Sequence, residues 1–399
     1  MKKILFLGGT AQQIPAIKYA KEMGYYTILC DYQSNTPCQK YSDEYYCIST
    51  TDKEGILKIA RKREIDGIVA FISDTAASIA AYVANKLNLP SHPYESVSIL
   101  TNKEQFRKFL HENGFSCPRA ESYKVFKEAK NGLSNFHFPI MLKPVDSSGS
   151  KGVTRVDSIK DLEGAFEKAL SNSREKTVIV EEFIEKNHDY QIGGDVFIID
   201  GRLEFCGFLN CHRNNQVNPN VPAGKSYPLF LDKARASLVR SELQRLIDRL
   251  NLKTGALNIE AIIGRDEKIY FIDIGPRNGG NLIPDFLKII TEIDFVGATV
   301  EAAIGNNELD VNYKPTTEEF YFSYTVHSAK SGKLEAILFK NGIENHIIHR
   351  EIYKEKGDMI EVFTDGTKAL GFVFLKFKSL EELKDKMNHM TDYISVQVS

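Results

Sequence analysis

The chain has 399 residues and a mass of 45.1 kDa, more than one hydrophobic core usually organises, so several domains are expected. Basic and acidic residues nearly cancel (51 against 53, net charge −2), which removes the electrostatic case for a nucleic-acid or anionic-membrane partner. The six cysteines, Cys30, Cys38, Cys47, Cys117, Cys206 and Cys211, form no CxxC pair, and Gly8-Gly9-Thr10 ends the first apolar run too soon for an export segment; a cytoplasmic protein with reduced thiols is expected.

The first ninety or so residues alternate strand and helix. Ile4 to Leu7 reads as a buried strand, Pro15 to Met23 as a helix, and Tyr26 to Cys30 as a second strand ending at Asp31. Gly67 to Ile72 is a further strand, followed by Ser73-Asp74 and the alanine-rich helix Thr75 to Leu87. Such alternation implies a parallel sheet covered by helices, with ligands at the carboxyl ends of its strands. Asp31 lies at the spacing of a dinucleotide ribose acid, but Gly8-Gly9-Thr10-Ala11-Gln12-Gln13 lacks the GxGxxG fingerprint, so NAD is set aside. Asp74 and the Gly8 loop are candidates for lining a substrate pocket.

Thr101-Asn102-Lys103-Glu104 reads as a Thr-x-x-Glu capping box. It opens a helix with Phe106, Phe109 and Leu110 on one face and Gly114 as its stop. Lys103 falls in the first turn, where it either stays solvated or shares an anion with the helix amides. The strand Ile140-Met141-Leu142-Lys143 places a second lysine in an apolar stretch, where it needs an anionic partner. Ser147-Ser148-Gly149-Ser150-Lys151-Gly152 follows, a flexible loop whose amides can meet phosphate oxygens, although it is no Walker A loop. Thr177 to Ile184 reads as another strand, whose edge can pair with adenine, and Asp189 can accept from a ribose.

Ala256 to Ile263 and Ile269 to Ile274 are apolar runs with one acid each, Glu260 and Asp273, around the turn-like Gly264-Arg265-Asp266-Glu267. A β-hairpin with a four-residue loop puts Glu260 opposite Phe271 and Asn258 opposite Asp273, so the two acids share a face as diagonal neighbours. An odd-length loop or a bulge would separate them. Paired acids in apolar surroundings need a proton or a cation, and oxygen ligands suit Mg²⁺, with Mn²⁺ as an alternative. The competing reading leaves each acid in solvent or beside a lysine.

In this order, over roughly residues 1 to 310, these elements resemble the ATP-grasp superfamily of ADP-forming carboxylate–amine ligases, in its L-amino-acid ligase and carbamoyl-phosphate-synthase-like branch. The resemblance implies an α/β chain: a Rossmann-like domain over 1–95, a two-lobed α+β ATP-grasp domain over 96–315 and a small α+β domain over 316–399. It implies that Lys103 and Lys143 hold ATP phosphates under the loop Ser147, Ser148, Gly149, Ser150 and Gly152. Glu181, Glu182, Phe183, Ile184 and Asp189 would surround adenosine, Glu260 and Asp273 would bind Mg²⁺, and Arg277 would face the transferred phosphoryl group. The family pattern has an asparagine where Gly275 stands, so Asn278 or a water is expected to take over, and Gly275→Asn is expected to preserve activity or raise metal affinity.

The implied reaction makes an acyl phosphate from a carboxylate and ATP, then joins it to an amine, with Ser147 to Gly152 as the lid that excludes water. The acids in view are amino acids, a sugar acid or an antibiotic precursor. Asp74 and Arg213 are the substrate candidates, Arg213 lying in a polar stretch from Cys211 to Pro228 read as a loop. Lys330 and Lys333 are read as surface charges, and a homodimer is the assembly considered. A kinase or carboxylase on the same fold, and a nucleotide-binding regulator suggested by Gly275, are the other readings.

Overall fold

A computed structural model describes residues 1–214, 218–308 and 318–399. The boundary expected at 315/316, and Asn215, lie outside the described residues. Four strands form a parallel sheet in the order Glu44–Cys47, Tyr26–Asp31, Lys3–Leu7 and Gly67–Val69. Helices Ile14–Glu22, Lys53–Arg63 and Asp74–Leu87 cover the sheet, as parallel strands with apolar residues on both faces require. Glu44–Cys47 escapes a sequence reading because Glu-Tyr-Tyr-Cys is a half-exposed edge without an apolar run. Asp31 spends its carboxylate on its own loops, accepting from the Gly9 amide at 2.8 Å and the Gln33 amide at 2.9 Å.

Two antiparallel sheets follow. The smaller runs Ala120–Tyr123, Val178–Glu182, Ile140–Pro144, Thr154–Val156, and packs on helices Phe126–Gly132 and Leu162–Ser171. The larger has eight strands in the order Ile269–Gly275, Gly255–Ile263, Gln191–Ile199, Arg202–Asn214, Asn218–Tyr227, Phe320–Val326, Gly371–Phe377, Ile347–Ile352. Helices Lys103–Glu112 and Lys233–Arg249 enclose one core against it, and Ile283–Thr291 with Phe295–Ala302 enclose another. The C-terminal segment therefore lends three strands to the large sheet, and adds a three-stranded sheet and helix Leu380–Asn388 over a third core. Lys330 and Lys333 are exposed there. No helix among the described residues is long and apolar enough to cross a membrane.

Two local expectations are corrected. The polar stretch from Cys211 onward is a pair of strands, because its polar groups are satisfied across the ladder. Asn210 Nδ2 donates to Ser226 Oγ at 2.9 Å and to the Pro228 carbonyl at 2.8 Å, and His212 Nε2 pairs with Ser226 Oγ at 2.8 Å. The helix start near Lys103 is capped by Asn102, whose side chain accepts from the Gln105 amide. Thr101 instead closes the preceding helix by donating to the Val97 carbonyl at 2.9 Å, so the capping box does not form.

Asp285, in the first turn of Ile283–Thr291, has one carboxylate oxygen buried without a partner. Burial, with Glu351 nearby, pushes its carboxyl from an ordinary 3.8 up to about 6. Between those values the unfolded chain has released a proton that the folded chain keeps, so this group makes stability fall as pH rises through the window and level off above it. Asp285→Asn is expected to flatten that slope and to stabilise the protein at pH 8 by about 1–2 kcal/mol, with little gain near pH 4. Urea denaturation at both pH values measures it.

Candidate active site

The helix Lys103–Glu112 delivers two cations one turn apart into the space between the small and large sheets. Lys103 Nζ donates to the Ser147 carbonyl at 2.9 Å and lies 3.7 Å from Asp273 Oδ1, joining the glycine loop to the hairpin. Arg107, 4% exposed, reaches Glu181 through Nε at 3.0 Å. Lys143 Nζ reaches the other Glu181 oxygen at 2.5 Å. Burial opposes ionisation of Glu181, yet Arg107 and Lys143 hold its carboxyl down at about 2. Its carboxylate, expected near adenosine, thus serves as counter-ion to two cations. Lys143 has the anionic partner that its apolar strand demanded, and burial lowers its own pKa.

Glu182 ends the strand Val178–Glu182, and Phe183 follows it. The Phe183 ring carries the Arg155 guanidinium 4.5 Å from its centroid, and its amide donates to the Pro139 carbonyl at 3.4 Å. Ile184 is half-buried beside them and Asp189 is exposed. In the glycine loop, Ser150 Oγ donates to the Asn220 carbonyl at 2.7 Å, and Gly149, Ser150 and Gly152 take φ of 65°, 62° and 73°. Added bulk at Gly149 would meet nothing, whereas Gly152 packs on Pro144 and Asn172. Asp146 anchors the loop base to the Arg174 and Glu175 amides at 3.0 and 3.1 Å. A cavity of about 360 Å³ opens here, lined by Asp74, Lys103, Asp146, Ser147, Arg174 and Asp273.

The hairpin differs from the expected register. Ile263 pairs with Ile269 across a five-residue loop, and a register shift between Glu260 and Ala261 then sets Glu260 directly opposite Asp273. An odd loop or a bulge alone would separate the acids; both together reunite them on one face. Burial opposes ionisation of Glu260, but Arg213 and Lys225 hold its carboxyl below the usual range. Asp273 is pushed up by burial and by Asp74 and Glu260, against the pull of Lys103. Among the described residues no three His, Cys, Asp or Glu side chains converge on a metal position. Two facing carboxylates fit a Mg²⁺ whose remaining ligands are phosphate and water oxygens, the usual arrangement for that ion.

Arg277 lies on the other side of Asp273, its Nη2 2.7 Å from Asp74 Oδ2. Asp74 Oδ1 and Arg277 Nε are buried without partners. Asn278 does not replace the missing asparagine: it is fully buried, and its Nδ2 donates to Thr299 Oγ1 at 2.8 Å. Gly275 is open space only for a hydrogen, because a Cβ there would stand 2.6 Å from Asp74 Oδ1 and 2.7 Å from Arg277 Cζ.

Sequence reasoning named Arg213 but missed its setting. Its Nη2 donates to Gln191 Oε1 at 2.7 Å and lies 3.7 Å from Glu260 Oε2. Lys225, buried on the next strand with its Nζ 2.6 Å from Cys211 Sγ, was not anticipated because Ala-Gly-Lys-Ser reads as a turn. Asp195 was hidden inside Gln191–Ile199; it accepts from the Gly279 amide at 2.8 Å and Asn258 Nδ2 at 2.8 Å, and burial raises its carboxyl to about 6. Arg107 resembles any charged helix residue until the opposing elements are known.

Residues 100–281, which hold both lysines, the glycine loop and the carboxylate hairpin, match the ATP-grasp domain family. That segment is similar to an ATP-grasp domain. The chain is similar to the carbamoyl phosphate synthase large chain of Thermotoga petrophila, 28% identical over 262 residues, 64% of this chain and 23% of that one. The matched stretch thus spans about a quarter of those relatives' length. In fold it is similar to the L-amino acid ligase from Bacillus licheniformis (TM-score 0.81, 19% identity, 100% of this chain and 99% of that one). It is also similar to the biotin carboxylase domain dimer of Hydrogenobacter thermophilus 2-oxoglutarate carboxylase, solved with MgADP, ADP and bicarbonate (TM-score 0.73, 17% identity, 99% and 90% covered).

Gly275 packs against the ends of the Asp74 and Arg277 side chains, so a side chain there bears on stability as well as on metal binding. Gly275→Asn must displace the Asp74–Arg277 pair, and overpacking of this kind costs about 1–3 kcal/mol. Urea denaturation is expected to show that loss, with Asp74→Ala partly relieving it; a Gly275→Asn variant as stable as the parent would contradict this packing.

Proposed function

We propose that this protein is an ATP-dependent carboxylate–amine ligase that releases ADP and phosphate. The observation that carries the reading is the facing pair Glu260–Asp273, flanked by Lys103, Lys143, Arg213 and Arg277. In the proposed complex Lys103 and Lys143 neutralise nucleotide phosphates, Lys143 exchanging Glu181 for a phosphate oxygen, while the Ser147–Gly152 loop covers them. Edge backbone groups from Glu181 to Ile184 take adenine, and Asp189 accepts from the ribose. Glu260 and Asp273 would hold Mg²⁺, which when bound supplies charge neutralisation at the bridging phosphate oxygens.

Arg277 orients the attacking carboxylate toward the γ-phosphoryl group and takes up charge as the acyl phosphate forms; an amine then displaces phosphate. Positioning and electrostatics suffice for such a transfer, with little covalent chemistry asked of the protein. Asp74, already bonded to Arg277, and Arg213, beside Glu260, border the acceptor. The likeness in fold to a protein named as an L-amino acid ligase supports the reading, and amino acids or a sugar acid are the acids proposed. A nucleotide-binding regulator has one observation in its favour, the engagement of Arg277 by Asp74.

ADP release with panels of carboxylates and amines tests the proposal. Formation of ADP only when both partners are present is the expected result. A phosphorylated acid that accumulates as final product would identify a kinase, and binding without turnover a regulator. Glu260→Gln and Asp273→Asn are each expected to shift half-maximal turnover to higher Mg²⁺ by tenfold or more, about 1.4 kcal/mol. Unchanged Mg²⁺ dependence in both would leave the hairpin as structure only.

A further inference from the structure

Continued regularly from Ile263↔Ile269, the hairpin would set Ile259 opposite Asp273 and Ile272 opposite Glu260. Asp273 would then share a face with Ile259, which is fully buried in the core, and not with Glu260. The observed pairing has Ile274 opposite Ile259, so one extra residue, Ile272, has been accommodated between Phe271 and Asp273.

Two hydrogen bonds mark the place. Arg107 Nη2 donates to the Ile272 carbonyl at 2.6 Å and Nη1 to the Phe271 carbonyl at 3.2 Å. Successive carbonyls of a regular strand point in opposite directions, so one guanidinium collecting both is a direct signature of the bulge. The same side chain grips Glu181 through Nε and Nη2 at 3.0 and 3.4 Å. Its planar fork serves three partners at once, which a lysine's point charge on a flexible stem cannot.

We infer that Arg107 is the positioning residue for the carboxylate pair: it holds the bulge at Ile272 and thereby keeps Glu260 and Asp273 on one face. The inference rests on the metal role proposed for those acids. Arg107 touches neither of them and acts through the backbone between Phe271 and Asp273. The helix that presents Lys103 to the glycine loop thus also sets the geometry of the acids, one turn further on.

The test is the dissociation constant of Mn²⁺ in the presence of ADP, read from the electron paramagnetic resonance of the free ion, which needs no turnover. Arg107→Lys keeps a charge beside Glu181 but loses the fork, and is expected to weaken Mn²⁺ by about tenfold, as loss of an outer partner of a metal ligand does. Glu181→Gln spares both carbonyl contacts and is expected to weaken it clearly less. Should Arg107→Lys fail to fold, the pair Arg107→Met with Glu181→Gln removes one buried charge of each sign and leaves Lys143 an amide oxygen to meet. That double variant is expected to show the same Mn²⁺ loss. Wild-type Mn²⁺ affinity in a folded Arg107 variant, or equal losses in Arg107→Lys and Glu181→Gln, would overturn the inference while Glu260→Gln and Asp273→Asn still lose the ion. If those two also bind Mn²⁺ like the wild type, the metal reading falls and takes the inference with it.

Discussion

The Glu181 carboxylate, 2% exposed and set between Arg107 and Lys143, is the interaction on which the site depends. It joins three elements distant in sequence: the strand Val178–Glu182, the strand Ile140–Pro144 that carries Lys143, and the helix Lys103–Glu112 that carries Arg107. A buried carboxylate survives only with such partners, and removing one cation from a buried pair typically costs about 3–5 kcal/mol. Replacement of the whole cluster by apolar residues would cost far less, so its retention is better explained by what it positions than by stability.

The same economy extends across the cleft. Lys103 reaches the Ser147 carbonyl and Asp273, Arg213 reaches Gln191, Glu260 and the Asn220 carbonyl, and Arg277 reaches Asp74 and the Asn278 carbonyl. Charges are therefore held in place before any anion arrives, which is how a site avoids the reorganisation cost of binding and catalysis. Asp74 ties the N-terminal sheet to this arrangement, since it starts the helix that follows Gly67–Val69 and grips Arg277 from the far end of the chain.

Much of this was legible from residues. Lys143 in an apolar strand announced a buried partner, and the glycine loop announced a turn of positive φ. One acid in the middle of each of two apolar runs announced a hairpin. What was not legible depends on partners from other segments. The bulge at Ile272 leaves no mark in Phe-Ile-Asp, because it is held by Arg107 more than a hundred residues earlier. Gly275 reads as a lost ligand until Asp74 and Arg277 are seen filling the space its side chain would need. The polar strands around Arg213 and Lys225 look like a loop because their alternation is polar on both faces, one toward the cleft and one toward Ser226. Fold was read from patterns within segments, and geometry from contacts between them.

The central claim is that these cations and acids form one site for a magnesium nucleotide. Calorimetric titration of ATP, with and without Mg²⁺, into the wild type and Lys143→Ala tests it most directly. The account predicts a single site strengthened by Mg²⁺, and a loss of about 1.5–3 kcal/mol of binding in the variant, the worth of one charged hydrogen bond. Absence of ATP binding, or binding indifferent to both Mg²⁺ and Lys143, would contradict it.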